Sequence, residues 1–331
     1  MRRIRIKTAS RLHFGLIDLN GELGRIDGGI GIALNNPNSI IEASPEDKDI
    51  IIESRTQTDT IKEIAEKVLK HLNLDKGIKI KVKELIPPHV GLGSKTQLSL
   101  GIASLITRIY SNTIYPDYEL ARITGRGGTS GIGVNVFSKG GFILDGGHTF
   151  GKDKDKESIL PSSASSAPPA SPLVRYEIPD NWYFVITIPN AGKHIHGINE
   201  VNIFKKYCPI SAEEVGKVSR LVLMKILPSI AFKNIRMFGE GLSGLQEIGF
   251  KKHEIELQPQ IIKDLMKFYL DNGAHGAGIS SFGSVTYALI LGSGNAKRLK
   301  KKTEDFLESN EGGTVFISKP NNSGATIYEF S

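Results

Sequence analysis

Residues Met1 to Lys7 alternate charged and apolar side chains, the period-2 pattern of a strand with one wet face, and the strand-like run extends from Ile4 to Ala9. It runs into Ser10-Arg11-Leu12-His13-Phe14. A turn-rich segment, Asn20 to Gly29, precedes an apolar strand, Ile30 to Leu34, and Asn20-Gly21 signals a hairpin between them. Further strands are predicted at Ser39 to Ala43 and Ile50 to Ser54. From Thr60 to Leu72 the apolar positions Ile61, Ile64, Ala65, Val68, Leu69 and Leu72 fall at helical spacing, with Thr60 as the cap. Ile78-Lys79-Ile80-Lys81-Val82 alternates again, Leu98 to Tyr110 is an apolar helical run, and Asp117 to Ile123 reads as a short helix. Beyond residue 173, strands are expected at Leu173 to Ile178, Trp182 to Ile188 and Val285 to Leu291. Helices are expected at Ser211 to Ile226, Ala231 to Gly249, Gln258 to Leu270 and Asn295 to Leu307, and two short strands close the chain. Strands, helices and hairpins mix in both halves, which places the chain in the α+β class.

Glycine interrupts this pattern in three places. The first is Pro87-Pro88-His89-Val90-Gly91-Leu92-Gly93-Ser94-Lys95-Thr96-Gln97, between a strand and the apolar helix. Two prolines stop any helix before the loop, and Ser94 is a suitable N-cap. The new helix would then aim its first N–H groups and its positive dipole end out of a glycine turn, with the charge of Lys95 beside them. A phosphate group fits such a place; a plain capped helix start is the structural alternative. Neither a P-loop nor a dinucleotide fingerprint is present. Ser94 stands between Gly93 and Lys95, and Thr96 occupies the position of a third glycine. The second place, Gly125 to His148, is dense in glycine, which implies backbone packed closely against a ligand or another loop. Within it Asp145 and His148 flank a glycine pair. The third is Gly273 to Ser284.

Composition narrows the class. The chain has 331 residues, 39% of them hydrophobic and 23% charged, enough for two domains with a substantial core. One cysteine, Cys208, leaves no internal disulfide and no thiolate zinc site, so a reducing, cytoplasmic location is expected. The first residues lack the apolar core of a signal peptide, and no apolar run is long enough to span a membrane. The net charge of +7 fits anionic ligands without singling out nucleic acid. The densest basic cluster, Lys297 to Lys302, lies on a helix beside Glu304, Asp305 and Glu308 and reads as a solvated face. No nucleic-acid or membrane partner is expected. Residues 151–173 are charged and then rich in Ser, Ala and Pro, a flexible insert between a domain at 1–150 and another at 174–331.

Two further clusters could carry chemistry. Arg11, His13, Asp18, Arg25 and Asp27 surround the Gly28-Gly29 pair, as a site or as the polar decoration of a hairpin. His194 and His196 have the spacing of two metal ligands on a strand, with no third ligand apparent.

Pro87 to Ser94, Ser130 to Gly141 and Gly276 to Gly283, in that order, resemble the three motifs of the GHMP kinase superfamily. The resemblance departs from the kinases at two points. The first loop continues as Lys95-Thr96-Gln97 where they carry a magnesium-holding serine and small residues. The middle motif reads Ser130-Gly131-Ile132-Gly133 where many carry a catalytic Asp. These departures resemble a non-kinase branch, the β-ribofuranosylaminobenzene 5′-phosphate synthase family of archaeal methanopterin biosynthesis. Its pattern recurs as Ser10 to Phe14, Leu23 to Gly31, Gly91 to Gln97 and Gly141 to His148. The similarity spans nearly the whole chain outside residues 151–173.

The resemblance implies a two-domain fold, with an N-terminal half like ribosomal protein S5 domain 2 and a ferredoxin-like C-terminal half. It implies a pentosyltransferase that joins phosphoribosyl pyrophosphate to 4-aminobenzoate or 4-hydroxybenzoate with loss of pyrophosphate and carbon dioxide. Asp27 and Asp145, with Asp18 third, are then the candidates to stabilise a ribosyl cation. His13 and His148 would donate hydrogen bonds to pyrophosphate or sugar. Arg11, Arg25, Lys95 and Arg126 would hold phosphates or the benzoate carboxylate, with Gly91, Gly93, Ser94, Thr96 and Ser130 lining the cradle. Magnesium is expected on the pyrophosphate, with metal ligands unassigned and no organic cofactor. A homodimer is expected from the exposed sheet edges. The alternatives are an ATP-dependent small-molecule kinase with a displaced base and a non-catalytic protein that binds phosphometabolites or nucleic acid.

Overall fold

The structure is a computed structural model that describes residues 3–111, 113–190 and 198–330. Strands β1 (Arg3–Asp18) and β2 (Arg25–Glu46) form a long antiparallel hairpin, closed where Asp18 pairs with Asp27. There follow β3 (Ile50–Glu53), α1 (Thr58–His71), β4 (Gly77–Glu84), α2 (Ser94–Tyr110), α3 (Asp117–Thr124), α4 (Ile132–Lys139), β5 (Phe142–Asp145), β6 (His148–Thr149) and β7 (Pro172–Tyr176). Next come β8 (Trp182–Pro189), α5 (Ile198–Tyr207) and α6 (Ala212–Leu221). A π-helical turn, Val222–Ile226, joins α6 to α7 (Leu227–Ala231). Then come α8 (Ile235–Leu245), α9 (Gly249–Glu256), α10 (Gln260–Asp271), β9 (Gly276–Ile279), β10 (Thr286–Leu291), α11 (Ser293–Glu308), β11 (Gly313–Ser318) and β12 (Thr326–Phe330). This is the expected α+β fold.

Among the described residues the strands make two sheets. The larger runs β12-β1-β2-β4-β3, with β5 and β6 on the free stretch of β2 and β7 beyond β5. The smaller runs β11-β8-β10-β9. Strand pairing crosses the expected division of the chain: β7 overlaps the 151–173 segment and β12 ends the chain, yet both pair in the first sheet.

The pleat of the first sheet explains where its residues go. Alternate side chains of β1 and β2, including Leu12, Phe14, Ile30, Ile32 and Leu34, join Trp182, Phe184, Phe238 and Tyr287 in one core with the second half. The neighbours Ala9 and Ala33 face Ile132 and Val136 of α4 on the other side. Arg11 and His13 belong to that second set, by their bonds to the 87–93 loop and to Ser130. A sheet covered on both faces thus shows apolar residues at successive positions of β2, which is why the 30–34 run is continuous rather than alternating. Helix α2 is buried from Gln97 through Thr107, as expected of a helix apolar all round.

Three local expectations are corrected. Gly93, in the left-handed region at φ 78°, caps α2 in place of Ser94, which is its first residue. Gln57 caps α1, which begins two residues before Thr60. The helix expected from Ala231 to Gly249 breaks between Leu245 and Gly249, where Gly249 has φ 57°.

Candidate active site

The phosphate-loop candidate, residues 87–97, is held from two sides. The Arg11 guanidinium Nη1 donates to Gly91 O at 2.5 Å, and Ser280 Oγ donates to the same carbonyl at 2.6 Å. Ser280 also accepts from the His13 amide at 2.9 Å. A side chain at Gly91 would run into the Ser280 carbonyl, so glycine is required for this approach. Past the loop, Gln97 N donates to Gly93 O. The amides of Ser94, Lys95 and Thr96 come before that first helical bond, so the helix offers them no acceptor. Lys95 is exposed on this first turn.

A second helix start meets the first. Ser130 and Gly131 precede α4, whose Gly133 carbonyl accepts from Gln97 Nε2 at 2.7 Å. Arg126 reaches across from the second glycine-rich segment to Thr96 Oγ1, at 3.3 Å from Nε and 3.2 Å from Nη2. Two positive dipole ends, Arg11, Arg126 and Lys95 therefore share one region, which makes it electropositive. The crowding registers on the arginines. Burial lowers Arg11 to about 10, with Arg126 adding to the effect and Glu254 opposing it. Burial also lowers Arg126, while Glu200 opposes it.

Position 133 matters for the kinase alternative. A Cβ at Gly133 would stand 3.2 Å from Thr96 Cγ2 and 3.4 Å from Thr96 Cβ. The place where many kinases carry their Asp is thus a glycine pressed against Thr96, and Thr96 is itself engaged by Arg126.

At the start of α4 three polar groups converge over Gly29. A Cβ there would lie 3.2 Å from Asp145 Oδ2, 3.3 Å from His13 Nε2 and 3.3 Å from Ser130 Oγ. His13 Nε2 and Ser130 Oγ are hydrogen-bonded at 3.0 Å. Asp145 is 1% exposed and accepts backbone N–H bonds from Gly131 (2.9 Å) and Gly147 (3.1 Å). Burial raises it to about 7 against the partial relief of those two bonds. His13 is held well below its ordinary value by burial first, then by the charges of Arg11 and Lys251, so the ring is neutral at physiological pH. Its Nδ1 is buried without a hydrogen-bond partner.

Asp27 and His148 do something different. Asp27 has a left-handed backbone, φ 69°, and is 1% exposed. Its Oδ2 lies 2.6 Å from His148 Nδ1, and Lys156 Nζ donates to Oδ1 at 3.1 Å and Oδ2 at 2.9 Å. His148 Nε2 sits 2.7 Å from the Pro168 carbonyl, an acceptor only, so that nitrogen carries a proton. All three side chains are sealed from solvent and satisfied by one another. The hydrogen bonds of Asp27 and His148 thus go to Lys156, the Pro168 carbonyl and each other, while their charges act on Asp145, Asp27 raising it and His148 opposing. Arg25 is exposed and donates to Gly146 O at 2.6 Å. Asp18 accepts from the amides of Asn20 and Gly21, which makes it the hairpin's turn residue. Arg25 and Asp18 line a cavity of about 280 Å³ whose wall also includes Asp27, Asp145, Leu144 and Val222. That cavity lies against the face of β2 that carries Gly28, opposite the face of Gly29.

Some residues of the site escaped the sequence reading. Ser280 lies within the third glycine motif, which signalled it. Lys251 and Glu254, paired on α9 and 4% and 6% exposed, lie in a segment to which the sequence pattern assigns no element. Their charges act on His13 and Arg11 respectively. Glu200 on α5 accepts from Ser163 at 3.1 Å and is raised to about 7 by burial, with Glu254 adding to it. Cys208 offers no nucleophile, since burial pushes its thiol up to about 12. His194 and His196 lie outside the described residues. Among the described residues no group of three or more His, Cys, Asp or Glu is arranged to hold a metal, and no helix is long and apolar enough to cross a membrane.

The family profile "GHMP kinases N terminal domain" matches residues 59–141, from α1 to the residue before β5. A protein of Methanocaldococcus jannaschii named beta-ribofuranosylphenol 5'-phosphate synthase is 45% identical over 98% of this chain and 99% of its own length. One of the same name from Methanothermobacter thermautotrophicus is 43% identical over 86% of this chain and 88% of its own. The chain belongs to this synthase family, within the GHMP superfamily. Family members are named as enzymes, so the expected non-kinase branch is the right one. The fold itself is shared with kinases. The crystal structure of homoserine kinase from Cytophaga hutchinsonii superposes with a TM-score of 0.67 over 98% of this chain and 97% of that one, at 17% identity. Family and fold together account for a kinase scaffold in which position 133 has no side chain.

Proposed function

We propose that this chain condenses 5-phosphoribosyl 1-pyrophosphate with 4-hydroxybenzoate or 4-aminobenzoate to give the C-riboside 5′-phosphate of methanopterin biosynthesis. The observation that carries the reading is the pairing of an electropositive cradle with a glycine, Gly133, where a phosphoryl-transfer base would stand. Such a site binds a polyphosphate and does not take a proton from an alcohol. The family name, a phenol, favours 4-hydroxybenzoate as the acceptor.

In this reading the first-turn amides of α2, with Lys95 and Arg126, hold the pyrophosphate. Its C1–O bond breaks with the electron pair leaving on pyrophosphate, and positive charge grows at C1. Asp145, in its ionised form, lies beside that charge in a water-poor setting where a carboxylate acts strongly. The ring carbon that bears the carboxylate attacks C1. The bond to the carboxylate then breaks, its electrons restore the aromatic ring, and carbon dioxide leaves without any proton transfer at that carbon. Neutral His13 and Ser130 orient the sugar from the other sides of the Gly29 hollow.

Magnesium fits only as a companion of the substrate. Asp27 is occupied by Lys156 and His148 and Asp145 by two amides, so pyrophosphate oxygens would supply most of its ligands. Bound there, it would offset the charge of the leaving group.

The test is incubation with phosphoribosyl pyrophosphate and each acid in magnesium buffer, measuring carbon dioxide and pyrophosphate together. ATP with small alcohols is the control for a kinase. Equal release of both products from at least one acid is expected; release from neither, or phosphorylation of an alcohol, overturns the proposal.

A further inference from the structure

Residues 156–170 are packed on the second glycine motif as a strap. Lys156, 5% exposed, puts its ammonium on both oxygens of Asp27, on Thr129 Oγ1 at 3.4 Å and on Leu160 O at 3.2 Å. Thr129 Oγ1 donates to Leu160 O at 2.8 Å, Ser165 Oγ donates to Gly128 O, and Asn135 Nδ2 donates to Ala170 O at 3.0 Å. Through His148 the strap's Pro168 carbonyl is tied to the same Asp27. The glycines of the motif have their reason here. A Cβ at Gly128 would stand 2.9 Å from Ser165 O, one at Gly127 would stand 2.9 Å from Pro169 Cβ, and one at Gly131 would strike Ala170 O. The close neighbour of this glycine-dense backbone is a loop of the same chain.

The same stretch of backbone carries Arg126 and Ser130 into the site, and Gly131 N onto Asp145. We infer that Lys156 is a positioning residue of the donor site: by neutralising Asp27 it anchors the 156–170 strap, which sets the 126–131 loop. The inference rests on the reading of that loop as donor-binding. Lys156 touches no substrate in it. Its role is to hold the loop at one place, and a displacement on the order of 1 Å of groups that grip a substrate costs about 100-fold in rate.

The experiment compares wild type, Lys156→Met and the double variant Lys156→Met with Asp27→Asn. Methionine keeps the unbranched apolar stem as far as Cε and removes the ammonium; the second change removes the carboxylate left without its ammonium. Hydrogen exchange is followed at residues 126–131, with the amides of β1 and β2 as the reference. The expected result is loss of protection at 126–131 in the single variant and its return in the double. In turnover, the single variant should lose about 100-fold in kcat/KM, with the KM for phosphoribosyl pyrophosphate raised and that for the acid unchanged. A merely smaller folded fraction would lower apparent kcat and leave both KM values alone. Unchanged protection at 126–131 overturns the inference, as does a loss confined to kcat. If wild type releases carbon dioxide from neither acid, the synthase reading fails by itself, and the exchange measurement still decides the role of Lys156.

Discussion

Asp27 and Asp145 lie on neighbouring strands and are equally hidden, each 1% exposed. Gly29, two residues after Asp27, is the register partner of Asp145. Burial alone does not distinguish them. Their partners do. Asp27 meets an ammonium and an imidazole, and its oxygens are spent on holding a strap in place. Asp145 is hydrogen-bonded by two backbone amides and is pushed up to about 7 by burial, with the charge of Asp27 adding and His148 opposing, beside a neutral histidine and a serine. A perturbed carboxyl without an ion-pair partner, grouped with His13 and Ser130 over Gly29, is the better candidate for chemistry. A buried carboxylate saturated by an ammonium and a histidine is the better candidate for architecture.

That comparison can be broken most forcefully at Asp27. Replacing it with Ala leaves the Lys156 ammonium buried without its counter-charge, which should cost about 3–5 kcal/mol of stability in urea or thermal unfolding. A change below about 1 kcal/mol, within the range of an ordinary surface substitution, would show that the triad is not structural. Asp145→Asn comes next. It should lower kcat by roughly 100- to 1000-fold, the usual size of losing one preorganised electrostatic group. Its stability cost should be smaller, about 1–3 kcal/mol, because one of the two amides of Gly131 and Gly147 would face an NH₂ group. Undiminished turnover in that variant would remove Asp145 from the mechanism.

The smallest effect sharpens the contrast through pH. The ordinary Asp value is 3.8, and Asp145 in the fold is near 7. Between those values the folded protein keeps a proton that the unfolded chain has released, so this residue's contribution to stability falls as pH rises through that window. Activity should run the opposite way. If the ionised form stabilises the sugar cation, kcat/KM rises with pH up to about 7 and levels off. Glu200 titrates in the same range, so Glu200→Gln is the control. The acid limb should persist in Glu200→Gln; its disappearance there would assign the limb to Glu200 instead.

Much of the fold was legible because it rests on periodicity. The alternation in Ile4 to Lys7 and Ile78 to Val82 and the helical spacing from Ile61 to Leu69 each record a face that must leave water. The helix caps were less legible. Ser94 and Thr60 have the right side chains, but the backbone turns through left-handed conformations at Gly93 and Gln57 instead. The strap was least legible, since Lys152 to Glu157 reads as a solvated charge run. Nothing local marks Lys156 as the member that meets Asp27, 129 residues away in sequence.

By itself, then, the chain's order of residues determined the α+β class, the ordered trio of glycine motifs, and the absence of a base at Gly133. Each depends on residue type and spacing, which are local. Only the tertiary structure decided that Asp145, rather than Asp27, lines the hollow beside His13. It also decided that the density of glycine answers to a loop of the same chain, and that Lys251 and Glu254 bring charge from the second half. Those outcomes depend on which groups meet after long-range packing, and an aspartate's chemistry is set by the charges and amides that packing places around it.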